Sequence, residues 1–157
     1  MSLASSSVIA LLTSDRIQVN ADIDSRDALF QEVGTLFANE QLSTAEIVRA
    51  LKTRETLGST ALGQGVAIPH GRIKGLPEAQ AAFIRPTQPI AFNAPDGKKV
   101  NLFFILLVPA QATERHLQLL AELAQMTSSR KFREALCAAP GAAAVCALLR
   151  QQVEVGD

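Results

Sequence analysis

Tryptophan and tyrosine are absent, and seven Phe supply every benzenoid ring among the 157 residues. That leaves no stacking platform for nucleic-acid bases and no aromatic cradle for a sugar. An excess of one charge is missing too: 15 Lys plus Arg stand against 15 Asp plus Glu, so no basic stripe for nucleic acid is expected. Cysteine is scarce. Cys137 and Cys146 form neither a disulfide framework nor a CxxC pair, which suits a reducing compartment and reads as two small apolar side chains. Long hydrophobic runs are lacking as well, since Leu102 to Val108 falls far short of the ~20 residues a membrane helix needs. Met1 to Ser7 carries no positive charge, and Val8 to Leu12 is too short for a signal segment. The expectation is a cytoplasmic chain with no membrane insertion. What the sequence does have is 48% apolar residues, enough for one domain with a real core.

Residues 1–14 read as a weakly ordered lead-in with one helical turn, and 15–157 as a single domain. Arg16 to Val19 suits a short strand. Asp24 or Ser25 then caps a helix with Leu29, Val33, Leu36 and Phe37 at helical spacing. Ser43-Thr44-Ala45-Glu46 is a capping box opening a second helix, which decays near Glu55. A glycine-rich loop, Gly58 to Gly65, precedes a short apolar run, Val66-Ala67-Ile68, stopped by Pro69. Strands are expected at Ala81–Arg85, Pro89–Phe92 and Lys99–Val108, the last apolar enough to be covered on both faces. Thr113 caps a helix with Leu117, Leu120, Leu123 and Ala124 as its core stripe. Ser128 or Ser129 opens another helix, and Pro140 a last one. The order β-α-α-β-β-β-α-α-α carries enough helix to cover both faces of one sheet.

Familiar catalytic patterns fail on inspection. Gly58 and Gly63 match the front of a P-loop, but Gln64 and Gly65 stand where Lys and Ser/Thr are required. A dinucleotide fingerprint fails at Ile68, and no G-x-S-x-G elbow occurs. His70, His116, Cys137 and Cys146 have no recognised metal-ligand spacing, so no metal and no cofactor are expected. The chain's two histidines nevertheless sit in telling places. His70 lies between Pro69 and Gly71, at a stiff strand edge that another molecule can approach. His116 falls in the first turn of the helix capped at Thr113, where the dipole favours an anion and a neutral imidazole. Arg54 ends a helix just before the glycine loop, where a guanidinium offers a planar fork for phosphate.

Read together, Thr53-Arg54-Glu55-x-x-Gly58-Ser59-Thr60-x-x-Gly63-x-Gly65-Val66-Ala67-Ile68-Pro69-His70-Gly71 is similar to the signature of phosphotransferase-system enzyme IIA proteins. The matching class is the fructose/mannitol type, including its nitrogen-regulatory branch. Leu107-Val108-Pro109 followed by His116 also resembles that family, and the likeness spans Ile17 to Arg150. Ala61 and Gln64 depart from the commoner Gly and Asn.

The resemblance implies a three-layer α/β/α sandwich around a mixed sheet. It implies His70 as the phosphorylated nucleophile, Arg54 as the phosphate clamp and His116 as the supporting histidine. Gly58, Ser59, Thr60, Gly63, Gly65 and Gly71 are candidates for cradling phosphate through backbone N–H groups. The implied donor is a histidine-containing phosphocarrier protein. The implied regulatory targets are proteins such as potassium transport or sensor components. Leu57, Leu62 and Ile73 are candidates for an apolar docking rim. With no membrane or second carrier domain in the sequence, the chain resembles the nitrogen-regulatory branch. The competing expectations are a purely regulatory binding module and a sugar-transport IIA component passing phosphoryl to a separate IIB.

Overall fold

The apolar run that ends at Pro109 organises the molecule, described over residues 8–111 and 113–155 by a computed structural model. In chain order the elements are β1 (Ile17–Ala21), α1 (Arg26–Phe37), α2 (Thr44–Glu55), β2 (Ala61–Gly63), β3 (Val66–Ala67), β4 (His70–Ile73), β5 (Gln80–Pro86), β6 (Leu102–Pro109), α3 (Thr113–Thr127), α4 (Arg130–Ala138) and α5 (Ala142–Val155). Side chains of β6 divide by parity. Leu102, Phe104, Leu106 and Val108 enter one core with residues of α3, α4 and α5, whereas Phe103, Ile105 and Leu107 enter a second core with α1 and α2. A strand whose every side chain is apolar must be covered on both faces, and three layers result. Among the described residues no helix is long and apolar enough to cross a membrane.

The sheet is mixed. β1 pairs β5 in parallel, β5 pairs β6 antiparallel, and β2 pairs β3 antiparallel. Beyond β6, the short strands β3 and β4 lie end to end along the same edge, both parallel to it. They keep one register across the break: Val66 faces Leu102, Ala67 faces Phe103, His70 faces Leu106 and Ile73 faces Pro109. Pro69 interrupts the ladder because it lacks an N–H, yet its carbonyl still accepts from Leu106 N at 3.0 Å. The two strands are one line broken at a proline.

Serine caps set where three helices begin. Ser25 accepts from Ala28 N, and Ser129 accepts from Phe132 N. Ser43 and Glu46 complete both halves of the capping box that opens α2.

Several expectations need correction. The observed order places five strands between the helix groups instead of three, because β2 and β4 were hidden by Gly63, Pro69 and Gly71. Residues 89–92 are not a strand. Ile90 and Val100 exchange two backbone hydrogen bonds as an isolated bridge, and Asn93 at φ 52° turns the chain away. The last central strand starts at Leu102, not Lys99. Thr113 is the first helical residue of α3 and not its cap. Leu117 is 67% exposed; the buried stripe of α3 is His116, Leu119, Leu123 and Met126. The expected lead-in packs from Val8 onward, since Val8 and Leu12 are buried against the α3 side of the sheet, while residues 1–7 lie outside the described residues.

Candidate active site

β4 has β6 on one side and, among the described residues, no strand on the other. Alternation along it sends His70 and Arg72 toward the α3 layer, and Gly71 and Ile73 toward the α2 layer. Glycine at 71 permits a close approach, because a Cβ there would lie 3.0 Å from Ala50 Cβ and 3.2 Å from its backbone carbon. α2 therefore rides directly on β4, and its last turn delivers Arg54 around the open sheet edge. From the opposite layer, α3 delivers His116. Its ring meets that of His70 edge to face, centroids 4.9 Å apart and planes at 69°.

Hydrogen bonding assigns the His70 tautomer. Arg54 Nε lies 3.1 Å from His70 Nε2, and a guanidinium only donates, so Nε2 holds a lone pair. The proton of the neutral ring is then on Nδ1, which donates to Ile68 O at 2.8 Å. Arg54 Nη1 also donates to Gly58 O at 2.8 Å, so the same guanidinium braces the loop after α2.

Both imidazoles are held neutral. Burial lowers the His70 pKa; its bond to Ile68 opposes that shift, and the charges of Arg54 and Arg72 reinforce it. Burial also pushes His116 down to about 4, with His70, Arg72 and Arg54 adding to it. Desolvation, not the helix dipole expected from sequence, is the main cause. Among the described residues neither ring nitrogen of His116 has a hydrogen-bond partner, although both are buried. Such an orphaned pair is costly unless something else supplies partners.

His70 and His116 line a cleft of about 410 Å³ together with Arg49, Arg54, Arg72 and Lys74. One carboxylate, Glu46, joins the lining, and it is already engaged by the Ser43 backbone N–H. Arg49, Arg72 and Lys74 escaped the sequence reading. Arg72 becomes legible once His70 starts a strand, because residue i+2 shares its face. Arg49 shares a face of α2 with Thr53, one turn on.

The glycine-rich loop behaves differently from expectation. Thr60 donates from both its backbone N and its hydroxyl to the buried Glu55 carboxylate. Ser59 Oγ donates to Phe92 O and accepts from Ala61 N. Gly63, Gln64 and Gly65 form the β2–β3 turn at positive φ, with Gln64 N donating to Asp96. None of these lines the cleft; of the loop candidates only Gly71 does. Gly58 contributes its carbonyl to Arg54. Of the expected apolar rim, Leu57 is 80% and Leu62 47% exposed, whereas Ile73 is buried in the α1–α2 core. Leu117, next to His116, takes its place at the surface. Cys146 packs against the core as expected, but Cys137 is exposed.

The site is thus a neutral histidine, capped by an arginine, at the edge of the sheet of an α/β/α domain. The chain belongs to the phosphoenolpyruvate-dependent sugar phosphotransferase system EIIA 2 family, whose model matches residues 10–152. Within it, the chain is 39% identical over 137 residues to the nitrogen regulatory protein of Pseudomonas aeruginosa, covering 86% of this chain and 89% of that one. The crystal structure of nitrogen regulatory protein IIA-Ntr from Neisseria meningitidis superposes with a TM-score of 0.87 at 46% identity, over 90% of this chain and 98% of that one. IIA mannitol from Escherichia coli, at 19% identity and a TM-score of 0.75 over 88% and 98% of the two chains, shares the fold.

Proposed function

We propose that this chain accepts a phosphoryl group on His70 Nε2 from a histidine-phosphorylated carrier protein and acts as a phosphorylation-dependent regulator of the nitrogen-regulatory type. The observation that carries the proposal is the pinned ring: Ile68 O fixes the Nδ1 proton and turns the Nε2 lone pair to Arg54 and the cleft. The Nε2 lone pair attacks phosphorus while the donor's N–P electron pair returns to the donor nitrogen, and the Nδ1 proton stays in place. Because the lone pair becomes the N–P bond, Arg54 must leave it, and the phosphoryl oxygens are the acceptors within reach. Charge spread over those oxygens suits a guanidinium. The N–H of neutral His116 gains an oxygen acceptor where the described residues offer it none. Each role named here is filled by a side chain of this chain.

Exposed Leu57, Leu62 and Leu117 supply the apolar surface on which a carrier or a regulatory target docks. A new charge of about −1.5 to −2, taking a phosphomonoester as guide, then repels any partner that met this surface through acidic groups. Incubation with phosphoenolpyruvate and the general phosphotransferase components, followed by mass spectrometry, tests the acceptor. The expected result is one acid-labile, base-stable phosphoryl on the peptide carrying His70. Stable labelling of a Ser or Thr peptide would refute it.

A further inference from the structure

In the free protein the Nε2 lone pair is covered by Arg54, so an arriving phosphoryl group must first be received by something else. Arg72 is placed for it. It follows His70 by two residues on β4 and shares its face, and it lines the same cleft. Its Nη1 donates to Ala110 O at 2.8 Å, in the connection from β6 to α3. That bond ties the guanidinium to the segment that leads to His116, and among the described residues it makes no second hydrogen bond. The two arginines thus line one cleft from different layers, Arg54 from α2 in contact with the nucleophile and Arg72 from the sheet itself.

We infer that Arg72 is a second phosphoryl-binding residue, which captures the incoming group before Arg54 releases Nε2. This rests on the phosphoryl-acceptor function proposed above. The two arginines then act in succession. Arg72 holds the oxygens of the approaching phosphoryl by charge, and Arg54 exchanges its nitrogen acceptor for an oxygen as the new bond forms. A charge on this strand also opposes protonation of both imidazoles, so its removal has an effect separate from transfer.

The test measures phosphoryl transfer from the phosphorylated carrier to wild type, Arg72→Gln and Arg72→Lys, with thermal melting as control. Arg72→Gln should slow transfer about ten- to a hundredfold, the loss of one charge-assisted hydrogen bond, while melting with the wild type. Arg72→Lys should recover most of the rate, because capture depends on charge. NMR titration of the two imidazoles supplies an independent readout: both should protonate at higher pH in Arg72→Gln than in wild type. Transfer to Arg72→Gln at the wild-type rate, or imidazole titrations that do not move, would overturn the assignment and leave His70 as acceptor. An unlabelled wild type would remove the acceptor function itself, and this assignment with it.

Discussion

Arg54 donates through two different nitrogens, to His70 Nε2 and to Gly58 O, and only a planar fork serves both at once. Arg54→Lys keeps the charge and loses the fork. Transfer to His70 should fall about ten- to a hundredfold, corresponding to ~1.5–3 kcal/mol, with the melting temperature nearly unchanged. A lysine variant labelled as fast as wild type would leave Arg54 no part in transfer. The histidines make a separate prediction about pH. His116 is neutral when folded down to about pH 4 but takes a proton near 6.5 when unfolded. Below 6.5 the unfolded chain therefore binds more protons, so stability is fully present above that pH and is lost as pH falls toward 4. Urea midpoints should therefore drop as pH falls across this window, with His116 contributing to the loss. In His116→Leu the dependence should flatten; an unchanged slope would assign it to other groups. At this scale His70, Arg54 and His116 were legible because their spacing in the chain is undisturbed. Arg49, Arg72 and Lys74 were not, because separate cations become one lining only after α2 is laid on β4.

At the scale of elements, the site depends on how closely α2 approaches the sheet. Gly71→Ala would set a methyl 3.0 Å from Ala50 Cβ and 3.3 Å from its carbonyl oxygen. The helix must retreat, at a cost of about 1–3 kcal/mol. Arg54 moves with it, so stability and transfer should both fall; a Gly71→Ala protein with wild-type melting would show that the contact is not tight. The β2–β3 turn offers the opposite sign. Gln64 sits at φ 59°, in the left-handed region that Asn tolerates better. Gln64→Asn should stabilise by about 0.5–1 kcal/mol in chemical denaturation, and a destabilised variant would refute the strain argument. The capping box at Ser43 made one helix start readable, Ser25 and Ser129 were each one of two candidates, and Thr113 and Pro140 were misplaced by one or two residues. The short strands were not readable. β4 begins at the Pro69-His70-Gly71 stretch that reads as a stop, and only its register on β6 makes it a strand.

For the whole molecule, a balanced net charge conceals a local imbalance. Arg49, Arg54, Arg72 and Lys74 converge on one cleft in which, among the described residues, the one carboxylate is engaged and the exposed Leu57 joins the lining. The apolar pattern of β6 made three layers readable, because a strand buried on both faces needs helices on both sides. Which sheet edge stayed open was not readable, since that follows from pairing between segments far apart in sequence. The open edge lets side chains from both helical layers and the sheet meet around one imidazole, and that imidazole is the central claim. It is tested most directly by labelling wild type and His70→Ala from phosphoenolpyruvate through the general phosphotransferase components, and recording NMR of the ¹⁵N-labelled imidazoles. The account predicts a single phosphoryl on Nε2 of His70 and none on the alanine variant. Phosphoryl on Nδ1, or undiminished labelling of His70→Ala, would contradict it.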